Sequence, residues 1–261
     1  MRARAVLYQR AGFFVLNKID KGEPFVYNKR MERKIVFTPG EIYHIYTRGV
    51  EKRKIFLSDH DYFRSILLLY LANSKDNFQL SSWMRQKYGK KGKPKLNDLY
   101  ELFKLPRRDT LVSIGVFNLM PNHLHILARE KEEDGISKFM GKYLTSLSMY
   151  FNQKNKRSGP LFTRPFRARH VDNDRYLKYL FAYIPLNPVK LIEPKWKEEG
   201  IKDFKKVKKY LENYKYSSYL DHLGSDRLEK NILNLNDFPD YFSNISFDGF
   251  INDWLKLKDE F

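Results

Sequence analysis

Two histidines set two residues apart are the most chemically suggestive feature of the chain. They lie in the run Leu119-Met120-Pro121-Asn122-His123-Leu124-His125-Ile126-Leu127. Aliphatic residues flank and separate them, a pattern that predicts a β-strand. Alternate side chains of a strand share a face, so His123 and His125 project together while Leu124 and Ile126 enter a core. Paired imidazoles on a rigid element can chelate a divalent metal. An ordinary strand can carry the same spacing, so the pair needs a second landmark.

That landmark is Tyr183-Ile184-Pro185-Leu186-Asn187, some 60 residues downstream. It belongs to a segment in which Tyr176, Leu177, Leu180, Phe181 and Ile184 recur with helical spacing. Tyr183 and Asn187 are four apart and would share a helical face. Taken singly, each has a plain structural reading. Tyr183 is one of 18 tyrosines, here on an amphipathic helix, and Asn187 precedes Pro188 where a helix should end. Pro185 lies between them. A proline in a helix interior removes a donor and clashes with the carbonyl four residues back, at a cost of about 3 kcal/mol. A kink that alters how Tyr183 and Asn187 face the histidines is therefore expected.

The elements that must position these residues can be read in order. Residues 1–34 carry nine Lys/Arg against three Asp/Glu and read as a basic arm. Glu41 to Arg48 (EIYHIYTR) reads as a strand ended by Gly49, and Ser58 or Asp59 caps a helix running to about Ala72. Residues 73–110 read as an insertion: a basic loop, then a short helix around Leu96 to Phe103. Leu111 to Asn118 and His123 to Arg129 form an antiparallel hairpin around Pro121-Asn122. Gly135 opens an amphipathic helix to about Asn152. Leu161 to Val171 has strand character, and Asp172-Asn173-Asp174 caps the tyrosine helix. The order is β-α-β-β-α-β with an added helix. This is an α+β chain of ferredoxin-like type: an antiparallel sheet with helices on one face and the other left for binding. We expect a basic arm over 1–37, a catalytic domain over 38–192 and a C-terminal accessory segment with helical extension over 193–261.

Charge points to the partner. The 261 residues hold 49 Lys+Arg against 31 Asp+Glu, a formal +18, with 16% aromatics. Such an excess is an electrostatic footprint for polyanions, and aromatics among cations suit unpaired bases. The excess is concentrated. Residues 85–108 hold nine Lys/Arg and two Asp/Glu, and residues 154–170 hold six Lys/Arg and no acid. The candidate phosphate contacts are Arg48, Lys90, Lys91, Lys93, Arg157, Arg164, Arg167 and Arg169. Phe162 and Phe166 either stack on bases or belong to the core, with core favoured for at least one. There is no cysteine, so disulfides, thiolate metal sites and a cysteine nucleophile are excluded. No window of 18 apolar residues spans a membrane, and Met1 to Arg10 lacks the apolar stretch of a signal peptide.

Three motifs in this order, MPNHLHIL, RSGPLFTRPFRARHV and YLKYLFAYIPLNPVK, resemble the single-tyrosine HUH transposases. More narrowly they resemble the REP-associated tyrosine transposases. YHIYTRGVEKRKIF and YKYSSYLDHLG extend the likeness over roughly residues 38–224. The resemblance implies that His123, His125 and Asn187 bind Mg²⁺ or Mn²⁺, and that Tyr183 is the nucleophile. It implies a 5′-phosphotyrosine intermediate on single-stranded DNA beside a hairpin, and an enzyme acting as monomer or homodimer without a membrane. A cytoplasmic, nucleoid-associated protein of a bacterium or archaeon follows from the same likeness. Two other classes fit the fold: a catalytically silent DNA-binding protein and an RNA-binding protein on the same sheet. The second lacks the aromatic signature expected on RNA-recognition strands.

Overall fold

The strands follow the alternation of the sequence. In β1 (Ile42–Arg48), Tyr43 and Ile45 enter one cluster of buried side chains while Ile42 enters another. In β3 (His123–Glu130), Leu124, Ile126 and Ala128 join the first cluster and Leu127 the second. β2 (Val112–Met120) is buried along its whole length, because both of its faces are covered. β4 (Arg167–His170) completes an antiparallel sheet of order β2-β3-β1-β4. That is the ferredoxin-like order. The computed structural model describes residues 35–76, 78–89, 92, 94–107, 109–241 and 246–256, the last four by backbone alone. All of them fall in one compact unit, Arg33–Phe261. The arm expected over 1–37 lies almost wholly outside the described residues. None of the described helices is long and apolar enough to cross a membrane.

The two helices between strands, α1 (Asp59–Ala72) and α4 (Gly135–Lys154), meet on the face of Leu124 and Ile126. The insertion joins this layer. It holds the expected short helix, α3 (Leu96–Glu101, tightening to 3₁₀ over Leu102–Lys104), and also α2 (Leu80–Tyr88), where a loop was expected. Leu80, Trp83 and Met84 give α2 an apolar stripe, hidden in the sequence by the surrounding charge.

The added helix, α5 (Asp174–Leu186), takes the other face of the sheet. Asn173 caps it, its side chain accepting from the Tyr176 N–H at 2.7 Å. Leu177, Leu180, Phe181 and Ile184 pack on Val116 and Leu127. The approach is close because β2 bulges at Gly115, where a Cβ would stand 3.1 Å from the Phe238 ring and 3.2 Å from that of Phe181. Phe181 is 1% exposed and also meets Phe238 edge-on at 5.7 Å. Phe181→Ala should therefore destabilise the protein by about 3–5 kcal/mol in denaturant titration.

Leu161 to Val171 does not form one strand. Thr163 meets the end of β1 through its N–H and hydroxyl, both donating to the Arg48 carbonyl, and Phe162 makes an isolated bridge to Gly49. Pro165 has no N–H to give the ladder, so regular pairing begins at Arg167. Phe162 and Phe166, at 3% and 8% exposure, are both core. C-terminal to α5, the short α6 (Trp196–Glu199), α7 (Phe204–Asn213), α8 (Tyr219–His222) and α9 (Phe247–Lys256) build a third cluster of buried side chains. Between α7 and α8 the chain lies along β2: Leu119 N–H donates to Tyr216 O, and Ser218 N–H to Phe117 O, both at 3.0 Å.

Candidate active site

The hairpin turn builds the site's centre. Pro121-Asn122 joins β2 to β3, and its carbonyls accept from Ile55 N–H and Gly49 N–H, both at 2.8 Å. Asn122 Nδ2 donates to Lys52 O at 3.1 Å, which leaves its Oδ1 facing His123 Nδ1 at 2.6 Å. His123 Nδ1 must therefore carry the hydrogen, and its Nε2 keeps a lone pair. The loop so tied down holds Glu51 and Lys52 at φ of 56° and 58°, a left-handed pair that costs non-glycine residues about 1–2 kcal/mol each. Gly49 allows the sharp exit from β1, since a Cβ there would lie 2.5 Å from Arg53 O.

A third histidine stands behind the pair. His44 on β1 lies one row along from His125, and its Nε2 is 2.9 Å from His125 Nδ1. Their rings are 5.1 Å apart at 24°. All three histidines are held neutral at ordinary pH. Burial, then the charges of Arg169 and Lys197, pushes His44 down to about 4. Burial, then Lys190 and Arg48, does the same for His123. Burial, then the neighbouring His44 and His123, holds His125 well below the usual histidine range. With both rings neutral, the His44–His125 contact contains one hydrogen. If His125 Nδ1 donates it, His125 Nε2 keeps its lone pair.

Tyr183 comes down onto these rings from α5. Its ring centroid is 5.9 Å from that of His125 at 74° and 6.4 Å from that of His44 at 84°. Tyr179 stacks on it at 5.2 Å and 13°, and Lys197 Nζ from α6 sits 3.8 Å from its centroid. Pro185 does not break α5. The helix runs to Leu186 and tightens into a 3₁₀ turn over Asn187–Leu191, with Asn187 N–H donating to Ile184 O. The expected kink is thus a change of helix type, and it leaves Asn187 on the side of Tyr183. Asn187 is 4% exposed, and its Nδ2 finds no hydrogen-bond partner among the described residues.

One cavity of about 710 Å³ is lined by His123, Tyr183 and Asn187 together with Arg48, Lys52, Lys54, Arg167 and Lys190. His125 sits behind it, with its ring 5.2 Å from that of His123. Of the candidate phosphate contacts, Arg48 and Arg167 reach this cavity. Arg169 lies on the same sheet face, over the Tyr176 ring. Arg157 is bound into its own loop through Asn152 Oδ1 and Pro160 O, and the exposed Arg164 does not line the cavity. Lys90, Lys91 and Lys93 lie outside the described residues. Sequence reasoning missed Lys52, Lys54, Lys190, Lys197 and His44. Only His44 left a readable trace, its place in the alternation of EIYHIYTR, two before Tyr46. Among the described residues no cluster of three or more His, Asp, Glu or Cys side chains is placed to hold a metal.

Among solved structures, one of a REP-associated tyrosine transposase bound to a REP hairpin is similar at 11% identity and a TM-score of 0.41, covering 75% of this chain and 86% of that one. None of the curated proteins matches. The family model described as IS200-like transposase matches residues 77–187, a segment that contains His123, His125, Tyr183 and Asn187. Over that segment, rather less than half of its length, the chain is similar to the IS200-like transposases.

Proposed function

We propose that the protein is a metal-dependent single-strand DNA endonuclease and strand transferase whose nucleophile is Tyr183. One observation carries the reading: His123, Tyr183 and Asn187 meet five cationic side chains in a single cavity. The donor set suits a divalent cation. His123 and His125 are neutral imidazoles with Nδ1 already engaged, and Asn187 lines the same cavity with an amide whose oxygen would be the ligating atom. The unpartnered Asn187 Nδ2 costs about 1–3 kcal/mol, which a phosphate oxygen accepting its hydrogen would relieve. A bound Mg²⁺ or Mn²⁺ would polarise the scissile phosphate and offset its developing charge.

The chain's own residues do the rest. Arg48, Arg167 and the lysines of the cavity draw in and position the phosphodiester. The Tyr183 oxygen attacks phosphorus and loses its proton to solvent. The bond from phosphorus to the 3′-oxygen breaks, and that oxygen takes a proton as a free 3′-hydroxyl. The 5′ side stays on Tyr183 as a phosphotyrosine, which conserves the bond for attack by another strand end. Tyr183 meets the histidines of its own chain, which supports cleavage by a single copy, although a homodimer would serve as well. The substrate expected is single-stranded DNA beside a hairpin.

A labelled hairpin-flanked strand incubated with Mn²⁺ should be cut with a 3′-hydroxyl end, and chelation should stop the cutting. Binding should weaken steeply between 50 and 200 mM salt, by a factor on the order of 10³ if about six phosphates are neutralised. Binding without cleavage on any cognate hairpin would identify a silent DNA-binding protein instead. Tighter binding of RNA hairpins than of DNA would overturn the substrate assignment.

A further inference from the structure

The strip of sheet beside α5 carries a second arrangement of aromatic and cationic groups, and it lies outside the cavity. α5 packs chiefly over β2 and β3, and at the β4 edge of that face the arginines are exposed. Register puts Arg167 beside Tyr46 and His125, and Arg169 beside His44 and Leu127. Paired residues of a ladder share a face, so Arg167 and Arg169 stand on the histidine side of the sheet, and both are exposed. Along the facing edge of α5, Tyr183 stacks on Tyr179 at 5.2 Å and 13°, and Tyr179 on Tyr176 at 6.1 Å and 15°. The Arg169 guanidinium carbon closes this column, 4.4 Å from the Tyr176 centroid. No acidic side chain among the described residues pairs with Arg169.

We infer that Arg169 and Tyr176 form a platform for one further nucleotide of the single strand, about three nucleotides from the phosphate held at Tyr183. The distance follows from the helix. Seven residues separate Tyr176 from Tyr183, a rise of about 10 Å at 1.5 Å per residue. Stacked nucleotides advance about 3.4 Å each. The chemistry follows from the plate. A guanidinium seated over a ring offers its outer face to a base and its N–H edge to a phosphate. The tyrosine column holds that plate in place before any strand arrives, so little ordering is left to oppose binding. The platform rests on the reading of the cavity as a strand-cleaving site. It adds a sequence-tolerant grip, since every base has a face to stack.

The test uses fluorescein-labelled oligothymidylates of 4 to 12 nucleotides and anisotropy titration of the full chain. Wild-type affinity should rise in a step once the strand is long enough to reach from the cavity to Arg169. Tyr176→Ala should remove that step, weakening the long strands about tenfold while leaving the shortest unchanged. Tyr176→Phe keeps the ring and should keep the step. Arg48→Ala, inside the cavity, should weaken all lengths alike. Thermal melts of each variant separate loss of binding from loss of fold. A wild type with no length step, or a Tyr176→Ala protein that retains it, overturns the platform. Failure of the cleavage reading shows separately, as a wild type that never cuts a hairpin-flanked strand.

Discussion

Tyr183→Phe is expected to bind the strand as the wild type does and to form no covalent product. The ring of Tyr183 is held by Tyr179, by Lys197 and by the edges of His44 and His125. Phenylalanine keeps every one of those contacts and lacks only the oxygen. The melting temperature should stay within about a degree, and anisotropy should give a dissociation constant within about twofold. Adduct formation, read on a denaturing gel with labelled DNA and Mn²⁺, should fall by a factor on the order of 10⁴ or more, the scale on which deletion of a covalent nucleophile is felt. Persistent adduct in the variant would move the nucleophile elsewhere, with Tyr179 and Tyr46 the nearest candidates.

His44→Ala is expected to weaken Mn²⁺ binding by 10- to 100-fold without touching any proposed ligand. The effect turns on one hydrogen. His125 can present the Nε2 lone pair only if its Nδ1–H is donated to His44 Nε2, 2.9 Å away. Alanine removes the acceptor, frees the ring to turn and leaves a buried N–H unmet. Glutamine at the same place can offer an amide oxygen and should recover much of the affinity. Calorimetric titration with Mn²⁺ reads the effect without any DNA present. Equal affinity for wild type and a folded alanine variant would show that His125 orients itself. A wild type with no measurable Mn²⁺ affinity would instead count against the metal reading.

The same residues show how far the sequence could be read. The ferredoxin-like order was legible because alternation is strong in Ile42–Arg48 and His123–Glu130 and because Asn173 announces α5. Strand β4 was overextended because Phe162 and Phe166 look like strand residues, while the missing N–H of Pro165 acts through hydrogen bonding, not hydropathy. Helix α2 was hidden because lysines and arginines swamp its three apolar anchors. At the site, His123, Tyr183 and Asn187 could be named from motif order, and Arg48 and Arg167 were legible as cations, but the lysines that join them were not. Lys52 and Lys54 arrive through a left-handed loop, and Lys197 through a four-residue helix far down the chain. Such approaches depend on tertiary docking, which leaves no periodic trace. Pro185 predicts a kink, yet one 3₁₀ turn absorbs it.

The family segment ends at Asn187, but the protein's structural integrity does not. An unpaired strand edge is adhesive toward other chains. Here the β2 edge is sealed by Tyr216 and Ser218, and Tyr214 adds its hydroxyl to the Leu119 carbonyl at 2.6 Å. The opposite edge is β4, four residues long and preceded by a proline, which makes a poor template. The matched segment and the compact unit therefore have different boundaries in this chain. A fragment cut to the homologous segment would lose β1 with His44 from one side and its edge guard from the other. The segment after the tyrosine helix thus covers one edge of the sheet as well as building the third cluster of buried side chains.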